Sequence, residues 1–282
     1  MQFRWALSVF PALAIVCATG ASPAMAQSIE EQWKTCDNWT GDAAPAEVVR
    51  SCTAVLADGK GTAQTRAGAF HNRGAAYRLQ GDLVRAITDY NEAIRLNPSD
   101  VDTFYIRGNA FAAQRDYDHA IADYSSAIRL DAGFAPAYNN RGGAYHMKRD
   151  FTHAIADFDE AIKLNPDYAS AFSNRCRARA LSGDQLDKAR ADCSKSLELR
   201  PDDASTLDTR GLVHLRDMNF AAAFDDYDAA YKLNAMQFGS LYGRGVAQLR
   251  MGRAEAGRAD ISLAMASDPS VASMFEQSGV RP

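Results

Sequence analysis

The chain has 282 residues, and a composition of 47% hydrophobic residues with 19 Gly and 9 Pro is typical of a folded protein without long linkers. A formal net charge of −4 excludes the strongly basic surface that binding to nucleic acid requires. The sequence also lacks the basic amphipathic stretch that would predict a helix lying on a membrane surface.

Residues 1–26 have the pattern of a cleavable signal peptide. Arg4 carries a positive charge, residues 5–16 form an apolar run, and small residues lead to Ala26. The run is shorter than the ~20 residues that a membrane-spanning helix needs, so an uncleaved anchor is the less favoured alternative. We expect cleavage after Ala26, a mature chain from Gln27 that does not insert into a membrane, and a periplasmic or secreted location, with the periplasm favoured.

Four cysteines remain once the signal peptide, which contains Cys17, is removed. They are Cys36, Cys52, Cys176 and Cys193. An even number of cysteines in an exported chain predicts two disulfide bonds.

An Arg that is followed by Gly, or once by Cys, recurs at steps of 34, 34, 34, 35 and 34 residues. The six pairs are Arg73-Gly74, Arg107-Gly108, Arg141-Gly142, Arg175-Cys176, Arg210-Gly211 and Arg244-Gly245. A fixed period of this length predicts a repeat architecture. The six units are residues 67–100, 101–134, 135–168, 169–203, 204–237 and 238–271, and the fourth carries one inserted residue.

Each unit contains two blocks of apolar residues spaced three and four apart, and this period predicts two amphipathic helices. Breaks such as Gly81-Asp82 separate the helices, and Asn97-Pro98 ends a second helix, because the residue before Pro disfavours helical geometry. The recurrent Gly costs about 1 kcal/mol relative to Ala within a helix. We expect a close approach of the second helix, with small residues such as Ala86 and Ala93 at its facing places, to compensate for this cost.

Counted from the start of each unit, Gly stands at the eighth place, small residues stand at the twentieth and twenty-seventh, and an aromatic residue stands at the twenty-fourth in four units. With the unit length and the Pro near the unit's end, this pattern resembles the tetratricopeptide repeat family over about 205 of the 282 residues. The resemblance implies an all-α fold, a right-handed α-solenoid of stacked antiparallel helical hairpins whose first helices line a concave groove. Arg179, His214 and Gln248 replace the aromatic residue that units one to three carry at the eleventh place, so units four to six are expected to pack more loosely.

Residues 27–66 fit the same unit as a degenerate hairpin, because Cys36 and Cys52 then occupy the eighth and twenty-fourth places. Cys176 and Cys193 occupy these places in the fourth unit once its insertion is counted. The two places face each other across the closest contact of a hairpin, so we predict the disulfides Cys36–Cys52 and Cys176–Cys193, with free thiols as the alternative. Residues 272–282 are expected to form a C-terminal cap and tail.

The Arg before each Gly is matched by an Asp at the twenty-third place of every unit. These residues are Asp89, Asp123, Asp157, Asp192, Asp226 and Asp260. Because a bidentate guanidinium suits a partly buried carboxylate, we predict ion pairs that join the two helices of each unit. A catalytic or anion-binding role is the less favoured alternative, since a catalytic group is normally placed once.

No motif brings a nucleophile together with a base. The sequence has neither His-Glu-x-x-His nor Gly-x-Ser-x-Gly, and its Gly residues recur at 34 residues instead of clustering around a phosphate. His119 and His153 share one place in adjacent units, but a metal site would need further converging ligands. We expect no catalytic residue, no cofactor and no metal, and an enzyme built from groove His and Asp residues is the least favoured alternative. The glycosylation sequon Asn38-Trp39-Thr40 is interpreted as an ordinary helix end.

The resemblance places a polar cluster on the inner face of the first helices. Its members are Asn72, Arg78, Tyr105, Asn109, Asn139, Asn140, His146, Asn174 and Arg177. An Asn side chain can both donate to and accept from an extended peptide backbone, so the cluster predicts a peptide-binding groove on units one to four. Asn residues that are merely solvated are the alternative. The family's clamp for a C-terminal carboxylate is disfavoured, because Tyr105, Ser170 and Asn174 stand where that clamp has basic residues.

The sequence therefore predicts an exported scaffold that binds extended segments of a partner protein of unknown identity. The alternative is a structural envelope component that associates with further copies of itself through its exposed last helices.

Overall fold

The computed structural model describes residues 28–37, 43–183 and 185–281, and these residues form fifteen α-helices and no strand. The predicted signal peptide and the sequon at Asn38-Trp39-Thr40 lie outside the described residues. The helices are α1 (Ile29–Asp37), α2 (Pro45–Asp58), α3 (Ala63–Leu79), α4 (Leu83–Leu96), α5 (Val101–Ala113), α6 (Tyr117–Leu130), α7 (Ala135–Met147), α8 (Phe151–Leu164), α9 (Ala169–Ser182), α10 (Leu186–Leu199), α11 (Ala204–Arg216), α12 (Phe220–Leu233), α13 (Phe238–Arg250), α14 (Ala254–Ser267) and α15 (Val271–Gln277).

Consecutive helices pair as antiparallel hairpins, and each hairpin packs on the next one along the chain. The first helices α5, α7, α9, α11 and α13 begin at positions 101, 135, 169, 204 and 238. Helix α3 begins earlier, at Ala63, because the Thr62 hydroxyl caps it by accepting a hydrogen bond from the Thr65 N–H at 3.2 Å. The predicted fold class, an all-α right-handed solenoid of stacked hairpins, is confirmed.

In the six hairpins from α3–α4 to α13–α14, the turn uses one residue in the left-handed region. This residue is Gly81 in the first unit, with φ of 80°, and Arg115 in the second, with φ of 62°. In α4, α6, α8 and α12 the side chain of the next residue caps the second helix, as when the Asp82 carboxylate accepts a hydrogen bond from the Arg85 N–H at 3.0 Å. Helix α4 ends at Leu96, and its C-cap is Asn97, the residue before Pro98. The predicted break before Pro is therefore present at this helix end.

The closest contact within a hairpin joins the eighth and twenty-fourth places. A Cβ atom added to Gly74 would lie 2.8 Å from the Tyr90 ring, and one added to Gly142 would lie 2.8 Å from the Phe158 ring. The carbonyl oxygen of Ala86 is the next neighbour of Gly74, at 3.1 Å. The ring, more than the small residues that the sequence pattern singled out, therefore fills the space that Gly leaves.

Two hairpins replace the Gly–ring contact by a covalent bond. The Sγ atoms of Cys36 and Cys52 lie 2.09 Å apart, and those of Cys176 and Cys193 lie 2.01 Å apart. The Cα atoms of these pairs are only 4.9 Å and 5.3 Å apart, within the range that a disulfide spans. The two predicted disulfides are present, one in the α1–α2 hairpin and one in the α9–α10 hairpin.

Every Arg of the seventh place pairs with the Asp of the twenty-third place, as predicted. The Nε–Oδ2 distances of the six pairs lie between 2.7 and 3.0 Å, and the Nη2–Oδ1 distances lie between 2.6 and 3.0 Å. The third nitrogen, Nη1, donates to the second helix of the preceding hairpin, as from Arg107 to Asn91 at 2.7 Å and from Arg141 to Ser125 at 3.0 Å. Each Arg therefore joins three helices across two hairpins.

The polar residues at the eleventh place of units four and six add hydrogen bonds to this ladder. Arg179 donates to Asp192 at 2.5 Å, and Gln248 donates to Asp260 at 3.1 Å. In unit five, His214 takes the place of the ring, and its Nε2 lies 3.7 Å from the Asp226 carboxylate.

Helix α15 covers the last hairpin. The Phe275 ring packs on the Tyr242 ring, with 4.8 Å between centroids, and Val271 and Val280 are buried beside it. Within the described ranges, none of the helices combines the length and the apolar character needed to cross a membrane.

Candidate functional site

The first helices supply an open cavity of about 430 Å³ at units two to four. Four Asn side chains line it, Asn109, Asn139, Asn140 and Asn174, from helices α5, α7 and α9. Rings and small residues from the same hairpins form the rest of the wall. The structure therefore brings most of the predicted polar cluster into one concave surface.

The Asn side chains are joined in a hydrogen-bonded network. The Asn140 amide donates to the Asn109 side-chain oxygen at 2.8 Å and to the Tyr105 hydroxyl at 3.0 Å. The Asn139 amide donates to the Asn140 oxygen at 3.0 Å, and the Asn174 amide donates to the Asn139 oxygen at 3.0 Å. Because each Asn side chain is hydrogen-bonded to at least one other side chain, the network holds the four amides in defined orientations before any ligand binds.

The network leaves hydrogen-bonding capacity open to the cavity. The Asn109 oxygen accepts from both Asn140 and the Tyr124 hydroxyl, the latter at 2.8 Å. Both N–H groups of Asn109 are then free among the described residues, as are one N–H and the oxygen of Asn174. These groups match what the backbone of an extended peptide needs, which is acceptors and donors in alternation.

His146 and Arg177 stand at one end of this cavity and also line the next one. Burial lowers the pKa of His146 to about 4, and the charges of Arg177 and Arg149 contribute to the shift. His146 is therefore neutral at neutral pH, and its buried Nδ1 has no hydrogen-bond partner within the described part of the chain. Arg177 is exposed and supplies the positive charge of this surface.

A second cavity, of about 320 Å³, lies between the inner face of units three to six and helix α15. His146 and Asp208 both line it. Burial raises the pKa of Asp208, against a hydrogen bond that it accepts from the Ser240 hydroxyl at 2.6 Å. His146 and Asp208 share no hydrogen bond in the described structure, so they do not form a joined acid–base pair.

The unit-one members of the predicted cluster lie outside the 430 Å³ cavity. The Asn72 amide donates to the Cys36 carbonyl oxygen at 2.7 Å, so it holds the N-terminal hairpin against α3. Arg78 lies at the end of α3 beside Tyr90. The structure thus concentrates the candidate site on units two to four.

Several residues of the cavity wall lie outside the predicted polar cluster. Gly143 and Tyr117 line the cavity together with Met147, which is 57% exposed. A Gly-Gly pair at Gly142-Gly143, found in the third unit alone of the six, is the signal that could have indicated Gly143.

The two His residues that share one place sit outside the inner face. The His119 ring lies 2.7 Å from the Asp116 carboxylate through Nδ1 and stacks on Phe111 at 5.0 Å between centroids. His153 repeats this arrangement one unit later. No group of three or more potential metal ligands converges in the part of the chain that the structure describes.

The hairpins, their ladder of ion pairs and the inner polar surface define the chain as an α-solenoid scaffold of the kind that binds other proteins. Residues 74–115 and 108–148 match the family model described as TPR repeat, and residues 135–168 match the model described as tetratricopeptide repeat. The chain belongs to the tetratricopeptide repeat family. Members of this family typically bind protein partners and typically lack catalytic activity.

Solved structures share the fold. A tetratricopeptide repeat protein from Parabacteroides merdae is 17% identical, with a TM-score of 0.68, and the match covers 90% of this chain and 100% of that one. PilF of Pseudomonas aeruginosa is 19% identical, with a TM-score of 0.63, and the match covers 72% and 92%. YrrB, described as a TPR protein with an unusual peptide-binding site, is 18% identical, with a TM-score of 0.53 and coverage of 68% and 98%. No curated protein matches the sequence.

Proposed function

We propose that the chain is an exported scaffold that binds an extended segment of a partner protein along the inner face of α5, α7 and α9. The observation that carries the proposal is the network of four Asn side chains, which is fixed within the protein and yet leaves donors and an acceptor directed to an open cavity. A fixed network binds with a smaller loss of side-chain entropy than freely rotating Asn residues would. YrrB, whose description names a peptide-binding site, supports the proposal through its similar fold.

Export is part of the proposal. Two disulfide bonds form and persist in an oxidising compartment, such as a bacterial periplasm or the medium. The N-terminal pattern that ends at Ala26 supports the same location.

Replacement of Asn109, Asn140 and Asn174 together by Ala tests the inner surface. Crosslinking in the native compartment followed by mass spectrometry identifies the partner, and the purified proteins then give the affinity. Loss of about three hydrogen bonds should weaken binding by at least tenfold. The matched control replaces Thr88, Ser262 and Ser267, three exposed polar residues of second helices, by Ala. Equal affinity of the two triple variants would count against the proposed surface.

Self-association is a second candidate, and one observation favours it. On the last second helix, α14, Leu263 is 54% exposed and Met265 is 42% exposed, and among the described residues only α15 follows this helix. Light scattering over a range of concentrations separates the two functions. A mass that rises with concentration, and that falls to the monomer value in a Leu263→Ser variant, would support assembly through this helix.

A further inference from the structure

Gly143 lies within helix α7, and the packing of the hairpins does not require glycine at this position. A Cβ atom added to Gly142 would meet the Phe158 ring at 2.8 Å, whereas one added to Gly143 would have no atom within 4 Å. Glycine inside a helix costs up to about 1 kcal/mol relative to Ala, and Gly143 is in neither a turn nor a left-handed conformation. The open space at Gly143 belongs to the 430 Å³ cavity, which Gly143 lines.

The other units fill the equivalent place. Their residues at the ninth place are Ala75, Asn109, Arg177, Leu212 and Val246. Unit three alone has no side chain there, so the inner surface has a recess at this one point. Ala112, Ala144 and Met147 line the same cavity and supply apolar surface beside the Asn side chains.

Arg177 occupies the ninth place of the next unit and faces the same cavity. Among the described residues it makes no hydrogen bond or ion pair, and no carboxylate lines the cavity. Arg177 also lines the neighbouring cavity together with Asp208, whose carboxylate accepts a hydrogen bond from Ser240 and whose pKa the charge of Arg177 lowers against the effect of burial. His146 is neutral because burial lowers its pKa to about 4. The cavity thus presents the exposed guanidinium of Arg177, which has no hydrogen-bond or ion-pair partner among the described residues, beside the open position at Gly143.

We propose that Gly143 and Arg177 select the bound segment, an inference that rests on the proposed function. The segment places an apolar side chain over Gly143 and a carboxylate on Arg177. Neighbouring packed helices lie about 8–10 Å apart, and an extended chain rises about 3.3 Å per residue. The two selected groups are therefore about three residues apart in the partner. The carboxylate belongs to an Asp or Glu side chain or to the C-terminus of the segment.

Selection from a peptide library tests the proposal on the full mature chain. The probe is a set of decapeptides with blocked termini on a Ser/Thr background, each with one Leu or Phe and one Glu at separations of one to five residues. A second arm omits Glu and ends the peptide with a free carboxylate at the same separations, which distinguishes the two sources of the charge. The wild-type protein should bind peptides with a separation of two to four residues most tightly. Their affinity should be at least tenfold higher than that of the matched peptide in which Gln replaces Glu or an amide replaces the free carboxylate.

Two variants separate the recess from the charge. Gly143→Leu should abolish the preference for Leu or Phe and keep the preference for the carboxylate. Arg177→Gln should abolish the preference for the carboxylate and keep the preference for Leu or Phe. Arg258→Gln, a change at an exposed residue of α14, is the control with the same loss of charge. Thermal unfolding of Gly143→Leu and Gly143→Ala shows whether the fold is retained.

The outcomes distinguish failure of the inference from failure of the proposed function. Binding of all peptides without preference, or preferences unchanged in both variants, overturns the selection by Gly143 and Arg177 alone. Absence of binding to any peptide overturns the peptide groove as well.

Discussion

At the scale of single residues, the Arg of the seventh place does most to set the relation between neighbouring hairpins. Its Nε and Nη2 hold the Asp of its own hairpin, and its Nη1 reaches the hairpin before, as Arg73 does to Thr53 at 3.0 Å. The same contact therefore attaches the disulfide-linked N-terminal hairpin to the array. A guanidinium makes this three-way contact because its donors are fixed in one plane.

Loss of one member of a ladder pair should destabilise the protein. In Asp157→Ala the guanidinium of Arg141, which is 19% exposed, keeps only the Ser125 hydroxyl, so the free energy of unfolding should fall by about 3 kcal/mol. Urea denaturation measures the change. In the exposed pair of Lys163 and Glu160, Glu160→Ala should cost less than about 1 kcal/mol. Similar losses in both variants would contradict the structural role of the ladder.

His146 should make stability depend on pH. Its pKa is about 4 in the folded protein and near 6.5 in an unfolded chain, so the unfolded state binds more protons between these values. The free energy of unfolding should therefore fall as the pH falls from about 6.5 to about 4, by at most about 1.4 kcal/mol per pH unit.

The His146→Gln variant isolates this contribution, because burial also lowers the pKa values of His71 and His214. Urea midpoints at pH 7, 6 and 5 should decrease less in the variant than in the wild type. Parallel decreases would show that His146 is not buried in its neutral form.

At the scale of helices, two adjacent glycines of α7 have opposite roles. Gly142 touches the Phe158 ring, whereas Gly143 faces open space. Gly142→Ala should destabilise the protein by about 1–3 kcal/mol, because the added methyl group overpacks the hairpin. Gly143→Ala should stabilise it by up to about 1 kcal/mol through helix propensity. Thermal unfolding of the two variants under one condition shows whether each change raises or lowers stability. A loss of stability in Gly143→Ala would contradict the open space at this position.

The sequence predicted the helices, their pairing and the disulfides, because each depends on spacing along one chain. Cys36 and Cys52 could be placed opposite each other from the register of the repeat alone. The Asn network could not be predicted in this way, since the contact between Asn140 and Asn109 depends on the rotation between two units and on side-chain rotamers. Gly143 was missed because the pattern of the repeat explains only the glycine next to it.

At the scale of the whole molecule, a solenoid is stabilised by contacts within hairpins and between neighbours. Hairpins α1–α2 and α9–α10 are the two that carry disulfides, so one bond locks the N-terminal end of the array and the other lies in its middle. Among the described residues the first hairpin packs on one neighbouring hairpin, so its stability depends more on its covalent bond.

Removal of the first disulfide should therefore act locally. In the Cys36→Ser/Cys52→Ser variant, a loop of roughly 15 residues is no longer closed, which lowers stability by about 3 kcal/mol in the chain-entropy model. Hydrogen exchange should quicken in α1 and α2 and stay unchanged in α5 to α8. Equal changes along the whole chain would contradict independent hairpins.

Binding of a partner protein to the inner surface of units two to four can be tested by site-specific photo-crosslinking. A benzoylphenylalanine at Met147, which lines the 430 Å³ cavity, is compared in the native compartment with one at Val84, which is 70% exposed on second helix α4. We expect a crosslink to a partner protein from position 147 that disappears when Asn109, Asn140 and Asn174 are replaced by Ala, and no such crosslink from position 84. A partner crosslinked from position 84 and not from position 147 would contradict this expectation.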